Sequence, residues 1–130
     1  MTLIRAYAAG TDAEAVAGLV GEIWQRPVPT QDILEQDRTA PAGRIAAYLV
    51  AEAGGVVAYG NAIREPANPD GLFQVDVVVT AAHRRHGIGS QLLAGVERFA
   101  VEHGATRLGG VVPGVAEDAG TAFATVTDTR

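Results

Sequence analysis

The sequence predicts an α/β domain with a mixed sheet. Three observations point there. Strand-like runs cluster mid-chain, at 44–52, 56–64 and 72–80. Segments of helical periodicity flank that cluster on both sides. The resulting order is strand, helix, helix, three strands, helix, strand and a short final helix.

Each element has a local reason. Leu3–Tyr7 alternates apolar residues and reads as the first strand. Thr11-Asp12-Ala13-Glu14 fits a capping box, a hydroxyl followed three residues on by a carboxylate. Val16, Leu19, Val20, Ile23 and Trp24 then recur at spacings of three and four, so a helix is expected over Asp12–Gln25. Pro27 and Pro29 stop it. Thr30 caps a second short helix to about Asp37. The runs Arg44–Glu52 and Val56–Arg64 surround Gly54-Gly55 and predict an antiparallel hairpin. Glu65–Gly71 is a loop by composition. Leu72–Thr80, with four Val and one Phe, is the strongest strand signal in the chain.

Gly87–His103 predicts a helix with an apolar stripe of Ile88, Leu92, Leu93, Val96, Phe99 and Ala100, and Gly104 stands at its expected stop. Leu108–Val112 reads as a further strand, and Glu117–Thr125 as a short helix whose dipole Glu117 and Asp118 complement. No linker, internal repeat or low-complexity tract breaks residues 1–130, so one domain is expected.

Bulk properties narrow the function. The 130 residues suit one core. Apolar residues make up 48% and charged residues 19%, a globular balance. A net charge of −5 argues against a nucleic-acid binder, which needs a basic face. The chain has no cysteine, which excludes disulfides, thiolate metal sites and a cysteine nucleophile. No apolar run reaches the roughly 18 residues of a membrane span, so no membrane partner is expected. The first residues lack a basic start and an apolar stretch, so a cytoplasmic protein is the default expectation.

The chemically informative stretch is Val75–Leu93. A valine-rich strand enters a basic loop, His83-Arg84-Arg85-His86, and then Gly87-Ile88-Gly89-Ser90 opens a helix. First-turn amides have no partner within their helix, and the helix dipole adds positive potential there. Together they favour an anion such as a pyrophosphate. Glycines at 87 and 89 allow a close approach, Arg84 and Arg85 attract the charge, and Ser90 offers a hydroxyl. The dinucleotide-binding pattern needs a third glycine where Leu92 stands, and the phosphate-loop pattern ending in Gly-Lys-Ser/Thr is absent.

Arg84-Arg85-His86-Gly87-Ile88-Gly89 closely resembles the coenzyme A motif of the GNAT-type N-acetyltransferase superfamily, Arg/Gln-x-x-Gly-x-Gly/Ala. The surrounding valine strand and the Leu92-Leu93 pair also match. The resemblance covers about Leu3–Phe123 in element order and is motif-specific from Phe73 to Leu93. It implies a mixed, mostly antiparallel sheet flanked by helices. It also implies acetyl-CoA as co-substrate, held by Arg84, Arg85, His86, Gly87, Ile88, Gly89 and Ser90 at the pyrophosphate. The strand edge at Val77, Val78 and Val79 would hold the pantetheine arm, and one amide there would polarise the thioester. The implied activity is transfer of an acetyl group to a primary amine of a small molecule or peptide, without a covalent enzyme intermediate.

Three departures qualify the resemblance. Phe73 stands where the family often has a glutamate, which leaves Asp76 as the candidate base. Ala124 stands where a tyrosine often protonates the leaving thiolate. The chain also stops short of the usual C-terminal hairpin. A partner chain, a swapped element or another ending would cover the exposed edge, and a homodimer is one such arrangement. Two alternatives follow: a non-catalytic acyl-CoA sensor, or an incomplete domain that a partner completes.

Other residues take plainer readings. His83 and His86 lack a third ligand at metal spacing, so no metal is expected. His103 marks a helix end. Trp24 and Phe99 read as core residues. Glu22 and Tyr48 are candidates to line a substrate pocket.

Overall fold

The computed structural model describes residues 2–84, 87–110 and 127–128. The elements are β1 (Leu3–Ala6), α1 (Ala9–Trp24), α2 (Thr30–Arg38), β2 (Ile45–Glu52), β3 (Val56–Arg64), β4 (Leu72–Val79), a 3-10 turn (Ala81–His83), α3 (Ile88–Glu102), β5 (Arg107–Gly109) and β6 (Thr127–Asp128). The strands form one sheet in sequence order. All neighbours are antiparallel except β4 and β5, which run parallel. The mixed, mostly antiparallel sheet expected from the sequence is present. The short helix expected over Glu117–Thr125 lies outside the described residues. So does most of the segment on which the missing hairpin was argued; Thr127–Asp128 pairs antiparallel with β5.

Strand alternation gives the sheet two apolar faces. Phe73, Val75, Val77 and Val79 of β4 point to one face and join Ile88, Leu92, Leu93, Val96 and Ala100 of α3 in the main core. The backbones come close there: a Cβ at Gly60 would sit 3.3 Å from a Val77 methyl and 3.6 Å from the Leu92 Cβ. Val50 and Val78 point to the opposite face, which α1 covers with Val16, Ala17 and Leu19. The predicted stripe of α3 is the buried one.

Three local expectations are corrected. α1 starts at Ala9, ahead of the expected Asp12, and its N-cap residue Ala8 makes no side-chain cap. Thr11 and Asp12 therefore lie inside the first turn. Asp12 reaches back to accept the Ala8 N–H at 2.7 Å and takes two bonds from Arg5 of β1 at 2.8 and 2.9 Å. That partly buried ion pair fixes the helix start in place of the capping box. Thr30 is the first residue of α2 and Pro29 its N-cap, again without a side-chain bond. Trp24 is not a core residue. It is 59% exposed, and the Arg26 guanidinium lies 5.2 Å from its ring centre. The helix ends there with Gln25 in a left-handed conformation, which leaves the ring beyond the covered face. Phe99 packs against the core, edge-on to Phe73.

Candidate functional site

The site begins where β4 and β5 part. Among the described residues they pair over Leu72–Gln74 against Arg107–Gly109. A Cβ at Gly110 would collide with the Val75 carbonyl, so only a glycine fits this close to β4. Beyond that point no described strand pairs with β4 on this side.

The register identifies which groups face the opening. The Thr80 N–H donates to the Val57 carbonyl at 2.9 Å, and β3 and β4 stay in that register from Ala58↔Val79 to Ile63↔Gln74. Backbone groups alternate sides along a strand. The even-numbered residues Gln74, Asp76 and Val78 therefore bond β3, and the odd-numbered Val77 and Val79 aim their backbone groups at the edge away from β3. This corrects the expectation for Val78: its amide and carbonyl are engaged with β3, and its side chain lies on the α1 face.

The edge leads into the basic turn. Gly87 caps α3 in a left-handed conformation, φ +78°, which a glycine adopts without strain. The Gln91 N–H donates to the Gly87 carbonyl at 3.1 Å. This turn lies at the positive end of a 15-residue helix. Ile88 and Gly89 are buried and Ser90 is exposed. Arg85 and His86 fall outside the described residues.

Arg84 is engaged with the end of β4 and lies near α1. Its Nε donates to the Val79 carbonyl at 3.0 Å, on the open edge, and its terminal nitrogen lies 4.0 Å from Glu22. Glu22 also accepts the Thr80 hydroxyl at 3.0 Å and the Ala81 N–H at 2.7 Å. Glu22 thus holds the turn rather than a substrate pocket, a role that separation in sequence concealed. His83 is half-buried, with no partner for its Nδ1. The His103 Nδ1 lies 2.8 Å from the Phe99 carbonyl, at the end of α3.

Asp76 is exposed on the face opposite α3. In the register it aligns with Asn61 of β3 and then Tyr48 of β2. All three side chains therefore share one face. Phe73, at the family's frequent glutamate position, is fully buried under α3, so the strand offers its polar groups through Gln74 and Asp76 instead. Tyr7 packs near Tyr48 and edge-on to Tyr59, with ring centres 6.3 and 5.7 Å apart. The chain's three tyrosines form one cluster. Beside it lies an open cleft of about 430 Å³, lined by Tyr7, Ala9, Ala40, Pro41, Arg44, Ala46 and Tyr48. Tyr48 lines this cleft. Arg44 is held by Glu65 at 2.9 and 2.6 Å and donates to the Tyr48 hydroxyl at 3.2 Å.

A split parallel pair beside a glycine-capped helix defines a fold class that other proteins share. The Acetyltransferase (GNAT) family matches residues 13–122. The chain belongs to this family. No curated protein matches the sequence. Among solved structures, a ribosomal-protein-alanine N-acetyltransferase from Brucella melitensis is 26% identical, with TM-score 0.63 over 82% of this chain and 71% of that one. A phosphinothricin acetyltransferase from Sinorhizobium meliloti, in complex with acetyl-CoA, shares 18% identity, with TM-score 0.68 over 82% and 63%. A diaminobutyrate acetyltransferase from Paenibacillus lautus, in complex with its substrate and coenzyme A, shares 23%, with TM-score 0.63 over 83% and 63%. No helix among the described residues is long and apolar enough to cross a membrane.

Proposed function

We propose that residues 1–130 form one acyl-CoA-binding domain that moves an acetyl group from acetyl-CoA to a primary amine of a small molecule or peptide. The supporting observation is the β4 edge away from β3 at Val77 and Val79, with which no described strand pairs, running into the Gly87 turn. A pantetheine arm is an extended amide chain and pairs with such an edge as an added strand would. Amides at the α3 start, with Arg84 and Arg85, hold the pyrophosphate. Family membership and the acetyl-CoA complex of the Sinorhizobium relative support the donor. The acceptors named for the Brucella and Paenibacillus relatives, a protein alanine and diaminobutyric acid, support an amine.

The reaction needs positioning more than covalent chemistry. The amine nitrogen attacks the thioester carbonyl. A C–N bond forms and the C–S bond breaks. An edge amide stabilises the oxyanion. The ammonium proton passes to Asp76, directly or through water. The leaving thiolate takes up a proton from solvent. The reading extends to a homodimer through an exposed sheet edge such as β1, where Leu3 is 57% exposed, and the mass in solution checks it.

The test is a thiol-release assay over a panel of amines, beside calorimetry with acetyl-CoA. Binding and release together support the reading. Binding without release on every amine points to a sensor, which buried Phe73 would favour. No affinity for acetyl-CoA removes the proposal. Arg85→Ala is expected to weaken the cofactor, and Asp76→Asn to slow turnover with cofactor affinity retained.

A further inference from the structure

We infer that Asn61 holds the nitrogen of the acceptor, and that this acceptor is a primary amine carried on an apolar or aromatic body. The inference rests on the N-acetyltransferase reading above and deepens it.

Asn61 is only 8% exposed. Its Nδ2 makes one long contact, 3.5 Å to the Tyr59 hydroxyl, and its Oδ1 is buried with no hydrogen-bond partner. A buried carbonyl oxygen without a donor is unfavourable, and native folds rarely keep one. A ligand N–H would satisfy it.

The position suits that task. Tyr48, Asn61 and Asp76 stand side by side on β2, β3 and β4. The Tyr7 N–H donates to the Tyr48 carbonyl of β2, so the Tyr48–Asn61 pair is the close, non-hydrogen-bonded type, with Cα atoms roughly 4.5 Å apart. Asn61 and Asp76 form the hydrogen-bonded type, at roughly 5.5 Å. A nitrogen at Asn61 is therefore one strand from the candidate base, and Asp76 is chain neighbour to Val77 on the thioester edge. Tyr48 connects the row to the cleft.

The cleft sets the class of acceptor. Tyr7, Ala9, Ala40, Pro41, Ala46 and Tyr48 present rings and small apolar groups. The one cation in its lining, Arg44, is matched by Glu65. Such a lining fits a ring or alkyl chain better than a polyhydroxylated or polyanionic body.

The test titrates phenethylamine, and glucosamine as the polar counterpart, into the protein saturated with coenzyme A. Wild type should bind phenethylamine at least about tenfold more tightly than glucosamine. Asn61→Ala should weaken phenethylamine about tenfold, the loss expected for one hydrogen bond. Its acetyl-CoA affinity should stay, and its melting temperature should hold or rise, since an unpaired buried polar group is gone. Asn61→Asp, which keeps the acceptor oxygens, should retain phenethylamine affinity. Unchanged amine affinity in Asn61→Ala, equal loss of acetyl-CoA, tighter glucosamine, or no binding of either amine would each overturn the assignment. Normal thiol release with an indifferent Asn61→Ala removes this inference and leaves the enzyme reading. Amine binding that depends on Asn61 without any thiol release does the reverse.

Discussion

The Glu22 carboxylate, in the last turn of α1, accepts the backbone N–H of Ala81 at 2.7 Å. The two residues lie 59 positions apart. The bond ties the first helix to the turn that leaves β4, with Thr80 on the other carboxylate oxygen. Glu22→Ala should free that turn. A cost of about 1 kcal/mol is expected for the lost bonds at this half-exposed place, with acetyl-CoA affinity falling about threefold to tenfold. Thermal melts and calorimetry on the same variant check both.

The alternation along β4 sets two neighbouring prolines against each other. Proline removes a backbone N–H. At Val77 that N–H faces the open edge, so the β3–β4 ladder survives and acetyl-CoA affinity should drop. At Val78 the N–H belongs to the ladder, and Val78→Pro should lower the melting temperature far more, because it removes a ladder hydrogen bond and leaves a buried β3 carbonyl unpaired. Equal destabilisation by the two prolines would contradict the register argument.

Gly87 pairs a left-handed φ with open space, since a Cβ there meets nothing within 4 Å. Gly87→Ala should therefore cost only the conformational strain, about 1–2 kcal/mol. The added methyl should still disturb the anion site, lowering acetyl-CoA affinity more than stability loss explains. Calorimetry at a temperature where the variant is folded separates the two effects.

The Arg5–Asp12 pair gives acid sensitivity. The Arg5 hydrogen bonds hold the Asp12 carboxyl below its usual value of 3.8, against the opposing effect of burial. A depressed folded value stabilises above the unfolded value and is lost as pH falls through the folded one. Stability from this pair should be complete near neutral pH and fade below about pH 4. In Asp12→Asn that acid-dependent loss should shrink, and the melting temperature at pH 7 should fall by about 5 °C or more. Melts at pH 7 and pH 3 on both proteins check the sign.

Much of the fold was legible because its signals are local. Strand-favouring residues marked β2, β3 and β4. The 3.6-residue stripe marked α3. Gly54-Gly55 marked the hairpin, and Gly87 and Gly104 bracket the helix as expected. The start of α1 was misread because its anchor is Arg5, a residue from another element. Trp24 was misread because periodicity gives a face but not where that face ends.

The site divides the same way. The glycine-bearing turn was visible as a motif, since backbone conformation and helix-start amides are properties of consecutive residues. The sequence by itself determined the order of elements from β1 to β5 and the anion-suited turn. Only the tertiary structure decided which β4 amides face the opening, that Glu22 pins the turn, and that Tyr48, Asn61 and Asp76 form one row. Those depend on strand register and on contacts between distant segments. Hydrogen bonds across 15 to 59 residues leave no periodic trace in a single chain.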